Sequence, residues 1–178
     1  MTVDETSIEF KEKSRSIRIR ENNRLCEKGN YETYGYIRGN QSYSNGIHTI
    51  RIKFEKTESS NINNNEWSPW IFIGICSTID KSAFGDVRYH KLRSACGWST
   101  NGDIWINGMG KRIQWPGIPI ENDIIQLTID CDQKSLTLFN ERTHEKTKQI
   151  QIDYEDKTLF PWCFYLVMAN QGYKLRLL

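Results

Sequence analysis

Two neighbouring carboxylates are the first feature of this sequence that could do chemistry. Glu121 and Asp123 are two residues apart, so in a strand their side chains would share one face. A glycosidase needs two carboxyl groups that face each other across a sugar bond. Where a third carboxylate would complete the common glucanase arrangement, the residue is Gln126. Because an amide cannot act as a general acid, we expect no glycosidase activity.

Other catalytic and metal-binding patterns are missing from the sequence. The three histidines, His48, His90 and His144, accompany no Gly-x-Ser-x-Gly elbow and no cysteine with a flanking signature. The five cysteines include no Cys-x-x-Cys pair, and we expect them to be reduced, buried apolar residues. Asp130 and Asp132 stand at a strand end, where such a pair usually shapes a turn. We therefore predict a protein that is not an enzyme and needs no metal or other cofactor.

The charge balance argues against binding to a phosphate backbone. There are 24 Lys and Arg residues against 22 Asp and Glu, a net charge of +2. The one local basic excess, in residues 11–28, is interpreted as the solvated face of a strand. No apolar run approaches the roughly 18 residues of a membrane span, and residues 1–20 do not resemble a signal peptide. We expect a cytoplasmic or nuclear protein that binds neither nucleic acid nor membrane.

Strands must position whatever site the chain has. Isoleucine occurs 22 times and alanine 3 times, a composition that favours strands. Residues 71–76 are apolar on both faces, which predicts a buried central strand. Elsewhere apolar and polar residues alternate with period two, which predicts strands with one wet face, in residues 17–20, 50–55, 125–131, 136–138 and 174–177.

Turn signals separate these strands and leave little room for helix. Asn45-Gly46, Asn101-Gly102 and Asn107-Gly108 supply residues that tolerate positive φ. Residues 132–134 separate two alternating runs as a hairpin loop would, and the Asn-rich residues 57–67 predict a loop. No window shows sustained helical periodicity, so we expect a turn or two of helix at most, near residues 82–84 or in the N-terminal arm. The fold class is all-β, and the number of strands favours a sandwich.

Several motifs resemble, in order, those of a SPRY (B30.2) domain. The first motifs are an arginine-glycine pair and a glycine followed closely by histidine, which lead into a strand. A central strand and a glycine-aromatic strand come next. A loop, a long hairpin and a Phe-Pro pair complete the series. They stand at Arg38-Gly39, Gly46-Ile47-His48, residues 70–76, Cys96-Gly97-Trp98, Asn107-Gly108, residues 122–130 with 135–140, and Phe160-Pro161. The closest motifs are those of the SOCS-box and tripartite-motif types. Two glycines of the family pattern are replaced, by Asn122 and Glu141.

The resemblance implies a bent, concanavalin-like jelly-roll sandwich of two antiparallel sheets. It covers residues 17–178 within a single domain of residues 1–178, and leaves residues 1–16 as an N-terminal arm. Domains of this family bind other proteins through loops at one end, without catalysis. Many relatives carry ubiquitin-ligase modules that recruit the bound protein, whereas this sequence has no RING-type Cys/His array.

The resemblance also implies a binding site. In the SOCS-box branch a pocket for short Asn-containing peptides uses an early arginine, a loop tyrosine and residues before the last strand. By rough correspondence these are Arg24, Tyr89, Met168, Ala169 and Asn170. The tryptophan that the branch has in its last segment is missing here. Arg and Tyr are frequent interface anchors, although Arg24 could equally decorate a strand and Tyr89 could pack under its own loop.

Aromatic residues are the remaining candidates for binding. We expect Trp98, Trp105 and Trp115 to be core or loop-packing residues, whereas Trp67 and Trp70, after the polar loop, are better candidates for exposed aromatics. The leading hypothesis is a monomeric module that binds a protein or peptide through inter-strand loops. The role that the resemblance implies for it is substrate recognition in ubiquitination. The alternative is a lectin-like sandwich in which exposed tryptophans stack on sugars.

Overall fold

The computed structural model describes residues 8–30, 33–56, 70–80, 92, 94–112, 121–147, 149–152, 160–169 and 171–178. Fifteen strands lie within these residues. The first eight are β1 (Phe10–Lys13), β2 (Ile17–Arg20), β3 (Leu25–Lys28), β4 (Gly35–Gly39), β5 (Ile47–Lys56), β6 (Ile71–Ser77), β7 (Cys96–Ser99) and β8 (Asp103–Ile106). The others are β9 (Met109–Arg112), β10 (Ile124–Asp130), β11 (Ser135–Asn140), β12 (Glu145–Lys146), β13 (Ile150–Gln151), β14 (Trp162–Met168) and β15 (Tyr173–Leu177).

The strands form two antiparallel sheets, which confirms the predicted all-β sandwich. The seven-stranded sheet has the order β1-β4-β14-β6-β7-β8-β9, and the eight-stranded sheet has the order β12-β11-β10-β5-β15-β3-β2, with β13 beside β11. No helix occurs among the described residues, so none of them forms a helix able to cross a membrane. Strand β1, which pairs with β4, lies within the segment assigned to the N-terminal arm.

The main core lies between the inner faces of the two sheets. On β10, Ile125, Leu127 and Ile129 are buried and alternate with partly exposed residues, as the period-two pattern predicts. Every residue of β6 is buried, which confirms the central strand expected at residues 71–76, and every residue of β14 is buried too. Both strands therefore have a covered outer face as well as a covered inner face.

Turn residues adopt the backbone angles that their types allow. Gly46, Gly102 and Asn107 have φ of 72°, 92° and 52°, as their Asn-Gly pairs predict. Asn122 replaces a glycine of the family pattern and has φ of 70°, so asparagine satisfies that turn. The predicted helix near residues 82–84 and the loop at 57–67 lie outside the described residues.

Two facing glycines allow β6 and β7 to approach closely. Gly74 pairs with Gly97 across the two strands. A Cβ on Gly74 would lie 2.1 Å from the carbonyl oxygen of Cys96, and one on Gly97 would lie 2.3 Å from that of Ile73. Because no side chain fits at these distances, this pair of strands requires glycine at both positions.

The outer face of the eight-stranded sheet is charged but internally paired. The Arg176 guanidinium binds the carboxylates of Glu55, at 2.7 Å from Nε to Oε1, and of Glu21. These contacts hold the pKa of Glu55 below its ordinary value and raise that of Arg176. Arg51 Nε lies 2.7 Å from Glu141 Oε1. This face therefore neutralises its own charge.

Candidate partner-binding site

A second apolar cluster covers the outer face of the seven-stranded sheet. Its members come from β4, β6 and β14 and from the segment before β7, and they are separate from the core between the sheets. They are Tyr36, Phe72, Cys76, Leu92, Ala95, Cys163, Tyr165 and Val167. Burial raises the pKa of the Tyr165 hydroxyl well above its ordinary value. This sheet thus carries apolar side chains on the side where a sandwich usually presents polar ones.

Three partly exposed aromatic residues, Tyr34, Trp70 and Trp105, border this cluster and are called the aromatic group below. The rings of Tyr34 and Trp70 meet edge to face, with centroids 5.5 Å apart and an interplanar angle of 80°. Trp70 and Trp105 meet in the same way at 6.4 Å and 88°. Edge-to-face pairs are a favourable arrangement of aromatic rings. The group therefore presents partly exposed ring surface in a fixed geometry.

Polar residues of the β7–β8 turn fix the position of Trp105. Its indole N–H donates to Ser99 Oγ over 3.1 Å, and the Ser99 hydroxyl donates to Asn101 Oδ1 over 2.5 Å. Asn101 Nδ2 in turn donates to Asp103 Oδ2 over 2.8 Å. On β9, a Cβ at Gly110 would lie 2.9 Å from the Trp105 ring, so glycine gives the indole its space.

A charged network stands elsewhere on the same face. Arg38, from the Arg-Gly motif, is buried and donates from Nη2 to the carbonyl oxygen of Asp80 over 2.5 Å. Its Nε lies 3.9 Å from Glu12 Oε2. The Asp80 carboxylate accepts a hydrogen bond from Ser94 Oγ at 2.7 Å. These bonds tie β4 to the segment after β6.

Two predicted site residues lie beside the aromatic group. The Ala169 N–H donates to the carbonyl oxygen of Trp70 over 3.0 Å, and Ala169 is partly buried. Met168 ends β14 with no exposed surface and belongs to the core between the sheets. Met168 therefore supports this end of the sheet from beneath, whereas Ala169 lies nearer the surface.

The structure places Arg24 away from Met168. Arg24 follows Asn23, whose carbonyl oxygen accepts a hydrogen bond from the N–H of Phe10 over 2.8 Å. Phe10 pairs with Gly39 at one end of β4, while Met168 pairs with the residue at the other end. The two ends differ by four residues, or roughly 13 Å along the strand. Arg24 and Met168 are therefore not brought together.

Arg24 itself is partly exposed, and its Nε is buried without a hydrogen-bond partner among the described residues. The three residues before it form a turn with positive φ, at 52°, 52° and 62° for Glu21, Asn22 and Asn23. The other two predicted site residues, Tyr89 and Asn170, lie outside the described residues.

One of the two candidate carboxylates for catalysis, Asp123, has a structural role. The side chain of Asp123 is fully buried, with its Oδ1 at 2.5 Å from Arg142 Nε and its Oδ2 at 3.0 Å from Asn140 Nδ2. Arg142 neutralises this carboxylate, and the pairing raises the pKa of Arg142. Glu121 is exposed in the adjacent turn.

The acidic pair at the β10–β11 hairpin shapes turns, as expected. Asp130 Oδ1 accepts a hydrogen bond from the N–H of Gln133, and Asp132 Oδ1 accepts one from the N–H of Gly46. Within the described part of the chain, no three His, Cys, Asp or Glu side chains are grouped closely enough to hold a metal ion. All five cysteines are free and buried, which confirms their predicted burial.

The sequence identified only part of the aromatic group. Trp70 was expected to be exposed and is partly so, and Trp98 is 1% exposed in the core as predicted. Trp105 was assigned to the core or to loop packing; it is partly exposed and packs beside Trp70, and Tyr34 was not identified at all. Gly110, which pairs directly with Trp105, is the signal that could have indicated an aromatic ring lying across β9. Trp67 and Trp115 lie outside the described residues.

Comparisons with known proteins found matches among solved structures. No model of a protein family matches the sequence, and no curated protein matches it. The SPRY domain of human HERC1 matches with a TM-score of 0.69 and 13% identity over 94% of this chain and 96% of that one. The PSpry domain of TRIM65 gives 0.68 and 13% over 96% of this chain and 89% of that one.

Stonustoxin matches with a TM-score of 0.64 and 8% identity, over 96% of this chain and 27% of the toxin chain. At these identities the likeness concerns the fold. Two antiparallel sheets with this strand order, matched over nearly the whole chain by SPRY domains, show that the chain has the SPRY fold.

Proposed function

We propose that this chain is a non-catalytic module that binds an extended segment of a partner protein at the aromatic group, beside Ala169. The observation that carries the proposal is the partly exposed, edge-to-face array of Tyr34, Trp70 and Trp105. Large aromatic side chains with few rotors are the most frequent anchors of protein interfaces, because they bury much area at little entropic cost.

The surroundings of the array support this role. Its rings rest on buried side chains of β4, β6 and β14, and Trp105 is held by its bond to Ser99. An array that is already fixed loses little conformational freedom when a ligand binds, which favours affinity. The outer face of the eight-stranded sheet suits binding less well, since the guanidinium groups of Arg51 and Arg176 there are paired with carboxylates.

The wider setting belongs to the same proposal. We propose that the module acts as a monomer in the cytoplasm or nucleus and presents its bound partner to a ubiquitin-ligase system. The support is the SPRY fold and the motif resemblance described above. Recruitment would require a ligase module supplied by another segment or another protein.

A carbohydrate is the second candidate ligand. The observation that favours it is the position of Asn101 and Asp103 next to the Trp105 side chain. Amide and carboxylate groups can hold sugar hydroxyls while an indole ring stacks on the sugar face. Both ligand classes would use Trp105, so they are separated by the identity of the ligand and not by the position of the site.

The test is affinity capture from native lysate with mass spectrometry, alongside a glycan array. We expect the wild-type chain to capture a defined protein and Trp70→Ala or Trp105→Ala to lose it. Phe139→Ala, which removes a partly exposed aromatic ring from the outer face of the other sheet, is the matched control and should retain it. Melting temperatures show whether each variant is folded.

Arg24→Glu and Tyr89→Ala distinguish the predicted pocket from the aromatic group. If Arg24→Glu abolished capture while Trp105→Ala preserved it, the site would lie at the β2–β3 turn and our location would be wrong. Reproducible glycan hits without a protein partner would favour the lectin.

A further inference from the structure

Two cysteines face each other across the two central strands of the seven-stranded sheet. Cys76 on β6 is directly opposite Cys163 on β14, and their sulfur atoms are 3.6 Å apart. Both thiols are free and belong to the apolar cluster on the outer face. Cys76 has no exposed surface, whereas Cys163 is 3% exposed. Cys163 is therefore the only residue of the pair that retains any exposed surface.

The backbone at this position is compatible with a disulfide. The N–H of Thr78 donates to the carbonyl oxygen of Pro161, and that of Ala169 donates to the carbonyl oxygen of Trp70. Since hydrogen-bonded pairs recur every second residue in an antiparallel ladder, Cys76 and Cys163 also form a hydrogen-bonded pair. Such pairs have Cα atoms about 5.5 Å apart, within the range of about 4.4–6.8 Å that disulfides span.

The two thiols differ in their electrostatic surroundings. A hydrogen bond with Cys76 lowers the pKa of Cys163 against the opposing effect of burial, and the Arg38 guanidinium lowers it further. Burial raises the pKa of Cys76, an effect that Cys163 and Asp80 increase and Arg38 opposes. The carboxylate of Glu12, the remaining charged neighbour, raises the pKa of Cys163. The pair thus consists of a better nucleophile, Cys163, and a neighbouring thiol, Cys76, whose S–H can donate to the Cys163 thiolate.

We propose that Cys76 and Cys163 form a redox-modification site, at which hydrogen peroxide produces an intramolecular disulfide between β6 and β14. The Cys163 thiolate attacks one peroxide oxygen, the O–O bond breaks, and the other oxygen leaves as water after taking up a proton. The product is a sulfenic acid on Cys163.

In the second step the Cys76 sulfur attacks Cys163 Sγ. The S–S bond forms, the S–O bond breaks, and the Cys76 proton leaves with the second water molecule. The two thiols lose two electrons and two protons in total, and one peroxide becomes two molecules of water. Only a small movement is needed, because the sulfurs must close from 3.6 Å to about 2.05 Å.

The disulfide would join residues 87 positions apart in the chain. A bond that closes so long a loop restricts the unfolded chain strongly, so the oxidised protein should resist unfolding more than the reduced protein. The bond would also lock β6 to β14 within the apolar cluster that supports the aromatic group. This inference does not depend on the proposed partner.

The experiment treats the folded, full-length chain with hydrogen peroxide, blocks the remaining thiols with iodoacetamide in denaturant, and maps the peptides by mass spectrometry. We expect the intact protein to lose two hydrogen atoms, one linked peptide pair containing Cys76 and Cys163, and a melting temperature several degrees higher. Dithiothreitol should reverse all three changes.

Cys131→Ser is the matched control, since burial raises the pKa of that thiol to about 11 and it should not compete for the oxidant. This variant should keep the link, whereas Cys76→Ala and Cys163→Ala should lose it. The wild-type peptide map alone decides the question if those variants do not fold. Sulfinic acid at Cys163 without a linked peptide, or links that involve other cysteines, would overturn the proposal.

Discussion

The indole N–H of Trp105 donates a hydrogen bond to Oγ of Ser99, a hydroxyl that lies 3.1 Å away on a fully buried residue. The indole of the aromatic group is thereby held by a residue of the neighbouring strand. Loss of this acceptor would leave a partly buried N–H without its partner.

Ser99→Ala should therefore destabilise the protein by about 1–3 kcal/mol, since it removes the acceptor of the Trp105 N–H and the hydroxyl that donates to Asn101. It should also weaken partner capture, because the indole would no longer be fixed. Urea unfolding measures the first effect. Ser135→Ala is the control, since Ser135 is a buried serine of the eight-stranded sheet, outside the β7–β8 turn. Equal losses for the two variants would contradict the assignment.

The close approach of β6 and β7 predicts a severe effect of one added methyl group. Gly97→Ala should destabilise the protein by about 3 kcal/mol or more, because its Cβ would overlap the carbonyl of Ile73. Gly46→Ala is the matched substitution. Gly46 has a φ of 72°, but a Cβ there would meet no atom within 4 Å. We therefore expect this substitution to lower the free energy of unfolding by only about 1–2 kcal/mol. Thermal unfolding ranks the two variants, and a Gly97→Ala protein as stable as Gly46→Ala would refute the strand geometry.

The pairing of Glu55 with Arg176 predicts a dependence of stability on pH. Arg176 holds the pKa of Glu55 below its ordinary 4.5 in the folded protein. The ion pair therefore stabilises the fold above about pH 4.5, and this contribution disappears as the pH falls through the lowered pKa. Glu55→Gln should lower the melting temperature near neutral pH and have a smaller effect near pH 3. High salt should reduce the difference near neutral pH, whereas a difference that grew on acidification would reverse our sign.

One turn offers a stabilising change. Lys134 has a φ of 52° in the β10–β11 hairpin, a conformation that is costly for a residue with a Cβ. Lys134→Gly should raise the free energy of unfolding by up to about 1 kcal/mol, since glycine adopts this angle without strain. Gln133→Gly, in the same turn but at a residue without positive φ, should not stabilise the protein. Denaturant titration of the two variants tests the assignment.

The sequence was most informative about features that depend on a single strand. Alternation along β10 predicted which side chains face the core, and the run at residues 71–76 predicted a strand buried on both faces. These features depend on the period of a single strand and on burial, both of which can be read locally.

Features that depend on distant strands were harder to predict. The family resemblance placed Arg24 and Met168 in one pocket, but the pairing of β4 with both β1 and β14 sets them at different heights of the sandwich. Tyr34 and Trp105 meet at Trp70 although they are far apart in sequence, because β14, β6, β7 and β8 are neighbours. Register and strand order decide such contacts, and neither follows from a local pattern.

The strand order also sets when this domain can fold during its synthesis. Strand β14 lies between β4 and β6, and β15 lies between β3 and β5. Each sheet therefore has, in its middle, a strand that is synthesised after all the other strands of that sheet. Until residues 162–177 emerge, the earlier strands lack central hydrogen-bonding partners, and their apolar faces depend on chaperones for cover. A nascent chain arrested before Trp162 should therefore remain bound to chaperones, and release should require translation through Leu177.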